Sequence, residues 1–240
     1  MSHTQRLDWD SQILGLPVAR IESVALTQVE LQRCLQKLKK QGIRLVYWVC
    51  GAESLMANQA AIACNGYLVD QKITYQRQLN PLFFLDHPEI MAEVYTASTA
   101  NEELIALAKA IARHSRFNED PHLSIEQVDK LYTAWIQNAC QKRVAKVILI
   151  RRIQRNLAGM VVIAEQQPKH SNLSLLAVAE RYRQQSLGRQ LVCAAQAWQF
   201  RQGYTISQVV TQSNNLPARR LYESCGYALQ KTDCFYHFWL

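Results

Sequence analysis

No stretch of this 240-residue sequence stays apolar for the ~20 positions that a bilayer-spanning helix needs. The opening residues, Met1 to Trp9, are polar and hold no apolar core of a signal peptide. No Cys-x-x-Cys pair occurs and no two histidines stand at helical spacing. The seven cysteines are an odd set that lies mostly within apolar stretches such as Leu45-Val46-Tyr47-Trp48-Val49-Cys50. These gaps argue against a membrane segment and a disulfide framework and leave no metal site to propose. Neither G-x-G-x-x-G nor G-x-x-x-x-G-K-[ST] is present, which removes the two commonest nucleotide-binding fingerprints. Repeats and low-complexity tracts are missing as well. The charged share, 19%, is too small for a disordered chain. The expectation is a soluble, cytoplasmic protein whose cysteines are small buried hydrophobes in a reducing compartment.

An apolar share of 49% is ample for a buried core, and the length suits one elaborated domain or two small ones. The net charge is +8, and it is unevenly spread. From Lys169 onward there are eight Lys and Arg against three Asp and Glu, and Lys142 to Arg155 holds six cations and no acid. Nucleic acid would explain basic patches, but no nucleic-acid motif accompanies them and aromatics do not alternate with the cations. A polyphosphorylated small molecule explains them equally, as does a solvated face, so no nucleic-acid partner is expected.

The clearest internal boundary is Asn80 to Pro88, where two prolines and an Asn bracket an apolar patch. It suggests two units, 1–85 and 86–240. In the first, strand-like Val18–Val24, Ile43–Cys50 and Tyr67–Leu79 alternate with helical Gln28–Lys40 and Glu53–Asn65, giving a small α/β domain. In the second, Glu93–Ser98 reads as a strand, and Asn101 and Ser124 cap two helices. Strands at Lys146–Ile153, Leu157–Ala164 and Leu173–Val178 follow. The chain then alternates between a helix over Leu187–Gln202, a strand over Ile206–Thr211, a helix over Pro217–Ser224 and a final strand over Tyr227–His237.

Two segments carry the chemistry. In the first, the buried strand Leu175-Leu176-Ala177-Val178 ends in a polar loop, and a helix begins at Arg183-Gln184-Gln185-Ser186-Leu187-Gly188-Arg189. A helix start offers free N–H groups and partial positive charge, and so suits phosphate. Small residues at Ser186 and Gly188 would let the backbone approach an anion, and Arg183 and Arg189 add full charges. In the second, Asn215-Leu216-Pro217-Ala218-Arg219-Arg220-Leu221-Tyr222-Glu223-Ser224-Cys225-Gly226-Tyr227 reads as a helix with proline in its first turn and Gly226 as its stop.

Together these segments resemble the GNAT acetyltransferases. Their signature R/Q-x-x-G-x-G/A is met at Arg183 and Gly188, with Ser186 in place of a usual Gly. Their later N-x-x-A-x-x-L-Y-x-x-x-G-F/Y is met at Asn215, Ala218, Leu221, Tyr222, Gly226 and Tyr227. The resemblance covers residues 93 to 240. It implies a GNAT fold, a mixed, splayed central sheet flanked by helices, preceded here by the small N-terminal α/β domain. It implies acetyl-CoA as co-substrate, with the backbone of Leu176 and Val178 on the pantetheine arm and the amides of Arg183, Gln184, Gln185, Ser186, Leu187, Gly188 and Arg189 on the pyrophosphate. Asn215 would contact the cofactor arm, and Tyr222 would be the general acid. Glu165 and His170 are candidate bases by residue type alone.

A finer resemblance, at Leu7-Asp8-Trp9-Asp10-Ser11, Gly15-Leu16-Pro17-Val18-Ala19-Arg20 and Ser115-Arg116-Phe117-x-x-Asp120-Pro121, is to the dTDP-fucosamine acetyltransferase branch. It implies a dTDP-linked amino sugar as acceptor, with Arg116 and Phe117 near the acceptor cleft. A protein N-terminus, a polyamine or another small amine remain open as acceptors. So does a non-catalytic acyl-CoA-binding module, and so does a homodimer.

Overall fold

The computed structural model describes residues 4–80 and 92–240. The linker expected over Asn80–Pro88 lies, from Pro81 on, outside the described residues, as does the expected division after residue 85.

The elements in chain order are β1 (Thr4–Arg6), α1 (Asp8–Leu14), β2 (Val18–Ile21), α2 (Gln28–Lys40), β3 (Leu45–Gly51), α3 (Leu55–Ala63) and β4 (Tyr67–Gln78). After the undescribed segment come β5 (Glu93–Val94), α4 (Glu102–Ala112), α5 (Ile125–Cys140), β6 (Val147–Ile153), β7 (Asn156–Gln167) and β8 (His170–Val178). They are followed by α6 (Leu187–Arg201), β9 (Ile206–Gln212), α7 (Leu216–Ser224) and β10 (Ala228–Trp239). Local chemistry accounts for most boundaries. Thr27 and Glu30 form a reciprocal capping box on α2, Ser124 and Gln127 do so on α5, and Asn101 Oδ1 accepts the Leu104 N–H at 2.9 Å. Gln154 and Arg155, both at positive φ, make the two-residue turn between β6 and β7. Lys169 at positive φ turns the chain early, so β8 starts at His170 and takes in residues expected to be loop.

All ten strands join one sheet in the order β1-β2-β3-β10-β4-β9-β8-β7-β6-β5. The last strand, β10, is inserted between β3 and β4 and pairs antiparallel with both. Only β2–β3 and β8–β9 run parallel among the described pairs. The sheet is therefore mixed, as expected. One face carries α4 and α5, packed through Leu104, Leu107, Ile136 and Ala139 onto Ile148, Ile150, Met160 and Val162. The other carries α6 and α7 at its centre, against Val161, Ile163, Leu173, Val209, Ile73 and Tyr75. It also carries α2 and α3, against Val46, Trp48, Tyr236 and Phe238. Among the described residues, no helix is long and apolar enough to cross a membrane.

Candidate active site

The parallel strands β8 and β9 are joined only from His170↔Ile206 to Leu173↔Val209. Beyond that point they part. The cause sits on the other edge of β8, where Leu173 faces Ile163 but Leu175 faces Val162, so Ser174 is an extra residue that bends the strand. The result is a fork whose arms are Leu175–Val178 and Val210–Gln212. On the β8 arm the Ala179 N–H donates to Ala158 O at 2.9 Å, toward β7. Peptide groups alternate along a strand, so those of Leu176 and Val178 face the gap, where an extended ligand can pair with them. Arg183 Nε reaches Val178 O at 3.3 Å and folds over the end of this edge.

The loop past β8 has an unusual backbone. Gln184 and Ser186 both adopt left-handed φ, 61° and 58°. Ser186 is the N-cap of α6, yet its side chain caps nothing. As a result, none of the N–H groups from Gln184 to Arg189 finds a protein acceptor among the described residues. The loop is exposed and is flanked by Arg181, Arg183 and Arg189. Six free amides at the start of a 15-residue helix, with guanidinium groups beside them, are a donor set that fits a diphosphate.

One expectation changes: the Arg183 N–H donates to Glu180 O at 3.1 Å, so its amide is not among the free ones. Gly188 does not lie bare toward the loop, because a Cβ there would meet Leu221 Cδ2 at 3.1 Å. Its missing side chain lets α6 and α7 approach each other. Leu187 points its side chain into the core, so only its main chain is available to a ligand.

Asn215 caps α7 and accepts the Ala218 N–H at 3.2 Å, which leaves its amide NH₂ for other partners. Pro217 stands in the first turn and Gly226, at φ 80°, ends the helix. This fixes Tyr222 on the face of α7 turned to the sheet, 5% exposed, with ring centroids 6.4 Å from Tyr75 and 6.0 Å from Tyr227. Burial pushes the Tyr222 phenol well above its ordinary range, so it stays protonated at neutral pH. Its hydroxyl meets no hydrogen-bond partner among the described residues. Around it the scaffold is tied down: Tyr75 donates to Glu223 Oε1 at 2.7 Å, and the Ser207 and Tyr227 hydroxyls lie 2.6 Å apart. Arg77 Nη1 holds Gln196 Oε1 and the Cys225 carbonyl.

The opposite face of the sheet carries Arg116 and Phe117, in the turn between α4 and α5. Phe117 is 2% exposed and packs against Tyr47, Trp135 and His237, so it shapes the wall from behind. The Arg116 guanidinium lies over three rings, 4.5 Å from Phe117 and 5.0 Å from Tyr47 and Phe235. Lys72 sits over the same Phe235 ring, and burial together with Arg116 lowers its ammonium to about 8. Next to this group is a cleft lined by Tyr67, Asp70, Gln71, His114, Glu119 and Gln212–Asn214. It opens at the end of β9, where the fork also opens.

Sequence reasoning missed Asp70 and Lys72. They occupy polar positions of an alternating strand, a pattern that normally marks a solvent face. Here that face is roofed by the α4–α5 turn. Glu165 and His170 are not brought to the fork. Glu165 lies below it and pairs with Lys146 at 2.5 Å, and His170 begins β8, four positions before the bulge. No group of His, Cys, Asp or Glu able to hold a metal occurs among the described residues.

A forked mixed sheet with a helix start rich in free amides on one arm is the architecture of an acetyltransferase fold. The family comparison agrees: a model of the acetyltransferase (GNAT) family matches residues 100–227, more than half of the sequence, and the chain belongs to that family. It is similar to the spore coat polysaccharide biosynthesis protein SpsD of Bacillus subtilis, 24% identical over 138 residues, a match covering 58% of this chain. The matched part spans 47% of that relative's length, about half. Among solved structures, it is similar to a GCN5-related N-acetyltransferase from Sphaerobacter thermophilus (TM-score 0.60, 11% identity, 98% of this chain and 76% of that one). It also matches a tandem GNAT protein from the clavulanic acid biosynthesis pathway (TM-score 0.58, 12% identity, 94% of this chain and 76% of that one). At these identities the structural likeness speaks for the fold.

Proposed function

We propose that this protein is an N-acetyltransferase that moves an acetyl group from acetyl-CoA to a primary amine by direct attack. The observation that carries the reading is the coincidence of the fork, the free amides of Gln184–Arg189 and the protonated Tyr222 at one end of the sheet. Acetyl-CoA supplies the activated acetyl group. The loop amides, with Arg183 and Arg189, hold its diphosphate, the open edge of Leu176 and Val178 pairs with the pantetheine arm, and Asn215 contacts that arm. Tyr222 keeps a proton on its hydroxyl oxygen and gives it to the departing sulfur. Its raised proton affinity ensures that the acid form is present, although a weaker acid transfers that proton less readily.

For the acceptor, we infer the amino group of a nucleotide-linked deoxysugar. Arg116 and Lys72, a cationic pair beside the cleft, suit the phosphates of such a molecule, with Phe117 backing Arg116. The similarity to SpsD, named for polysaccharide biosynthesis, points the same way. The test is thiol release from acetyl-CoA with a panel comprising dTDP-4-amino-4,6-dideoxygalactose, an N-terminal peptide and spermidine. The sugar nucleotide is expected to give the highest kcat/KM. Preference for the peptide or spermidine would move the acceptor class. No release with any of them, despite bound acetyl-CoA, would favour a non-catalytic acyl-CoA-binding module.

A further inference from the structure

Tyr222 lies on one face of the sheet beside the fork, and the other face holds a nearly buried carboxylate, Asp70. Asp70 is 9% exposed, lines the cleft at the end of β9, and belongs to β4, the strand from the N-terminal half that flanks β9. Its position on the face is set by register: Asp70 lies across from Phe235, and Lys72 across from Gln212. On the same strand Ile73 and Tyr75 point to the opposite face and join the cluster that contains Tyr222. The wall of the cleft runs on directly into α7, because the Ser213 N–H donates to Gln71 O at 2.8 Å and Asn215, two positions later, caps the helix carrying Tyr222.

A nearly buried carboxylate normally has an ion-pair partner. Asp70 has none within 4.0 Å among the described residues. The charged and titratable groups around it are Lys72 and Tyr67 on its own strand, Cys234 on β10 with Asp233 beyond Lys72, Tyr132 on α5, and His114, Arg116 and Glu119 from the α4–α5 turn. Arg116 is spread over aromatic rings, and Asp233 is held by Lys231 at 2.8 Å. Gln212, which lines the same cleft, lowers the proton affinity of Asp70 but carries no charge to neutralise it. What would satisfy this carboxylate is a cation arriving through the cleft.

We propose that Asp70 receives the ammonium group of the acceptor and takes its proton. This rests on the acetyltransferase reading above and supplies the base that reading lacks. One N–H bond of the ammonium breaks and its electron pair stays on nitrogen, while an O–H bond forms on the Asp70 carboxylate. The free amine then forms the C–N bond as the C–S bond breaks. Tyr222 protonates the sulfur and is itself reprotonated by the second proton leaving the nitrogen. The proton on Asp70 passes to water in the cleft, so one proton is released per turnover. Burial raises Asp70 to about 6 against the opposing pull of Arg116 and Lys72. At neutral pH it is therefore ionised and a better base than an ordinary carboxylate.

The experiment is the pH profile of thiol release with dTDP-4-amino-4,6-dideoxygalactose and, separately, spermidine, in wild type, Asp70→Asn and Glu119→Gln. Wild type is expected to show an acid limb near pH 6. Asp70→Asn should lose that limb and at least about thirtyfold in kcat/KM, with acetyl-CoA affinity unchanged. Glu119→Gln should keep the limb. An Asp70→Asn enzyme that retains the limb and runs within threefold of wild type overturns the proposal. Carboxyl-labelled aspartate NMR judges the residue even where neither acceptor turns over, an outcome that counts against the acetyltransferase reading. A resonance missing in Asp70→Asn that titrates near 6, and moves when spermidine or the sugar nucleotide is added, supports the assignment. One that titrates near 4 and responds to neither overturns it.

Discussion

Asp120 and His237, 117 positions apart, meet at 2.6 Å between Oδ2 and Nδ1, and both are buried. The same oxygen of Asp120 accepts Trp239 Nε1 at 3.0 Å, and its other oxygen accepts the His122 N–H at 3.0 Å. One carboxylate thus pins the α4–α5 turn, which roofs Asp70 and Lys72, to the C-terminal strand. Hydrogen bonds from His237, His122 and Trp239 hold Asp120 low in spite of its burial.

The pH dependence of folding follows from this pair. Burial lowers His237 to about 4 in spite of Asp120, so the imidazole is neutral at pH 7. A base whose folded value lies below its unfolded value of ~6.5 takes up protons preferentially when unfolded, so its contribution is lost as pH falls from ~6.5 toward 4. Asp70, raised in the fold, acts in the opposite sense over a similar range. The two are separated by variants. His237→Asn should be less stable than wild type at pH 7.5, and that deficit should shrink by about 2 kcal/mol at pH 5 in urea unfolding. A deficit independent of pH would contradict a neutral buried His237.

Replacing Tyr222 by Phe removes the proposed proton donor and keeps the ring that packs against Tyr75 and Tyr227. Turnover should fall more than about tenfold. Acetyl-CoA affinity, read by calorimetry, should stay nearly unchanged. Equal turnover would take Tyr222 out of the mechanism.

Ser186 holds a left-handed conformation that favours glycine, at a cost of about 1–2 kcal/mol for other residues. Part of that is returned by the lower chain entropy of serine when unfolded. Ser186→Gly should therefore raise stability by roughly 0.5–1 kcal/mol in thermal unfolding without weakening acetyl-CoA binding. Ser186→Pro, fixed at negative φ, should abolish binding.

Gly226 ends α7 at φ 80°, and a Cβ there would stand 2.9 Å from the Arg77 guanidinium that holds Cys225 O. Gly226→Ala should cost about 1–3 kcal/mol in denaturant unfolding. Because Tyr222 is four residues upstream, kcat should also fall. An Ala variant as stable and as active as wild type would show that this end of α7 is not held by Arg77.

The backbone that frames the candidate site was legible from particular residues. Asn215, Pro217 and Gly226 announce both ends of α7 by local backbone chemistry, and that places Tyr222. Ser186 and Gly188 mark a loop turning into a helix. What stayed hidden is long-range. Nothing local tells that Phe235 will sit beside Asp70, because strand pairing between β10 and β4 joins residues far apart in sequence. The burial of Phe117 and the roofing of Asp70 and Lys72 depend on that same insertion. The extra residue Ser174 is invisible as well, since a bulge has no fixed residue type.

The most direct measurement is calorimetric titration of the folded protein with acetyl-CoA, coenzyme A and acetyl-pantetheine. If the amides of Gln184–Arg189 grip a diphosphate, the first two give a one-site heat, and the third, which lacks the diphosphate, binds at least about a hundredfold more weakly. No heat from acetyl-CoA or coenzyme A, or equal affinity for acetyl-pantetheine, would contradict it.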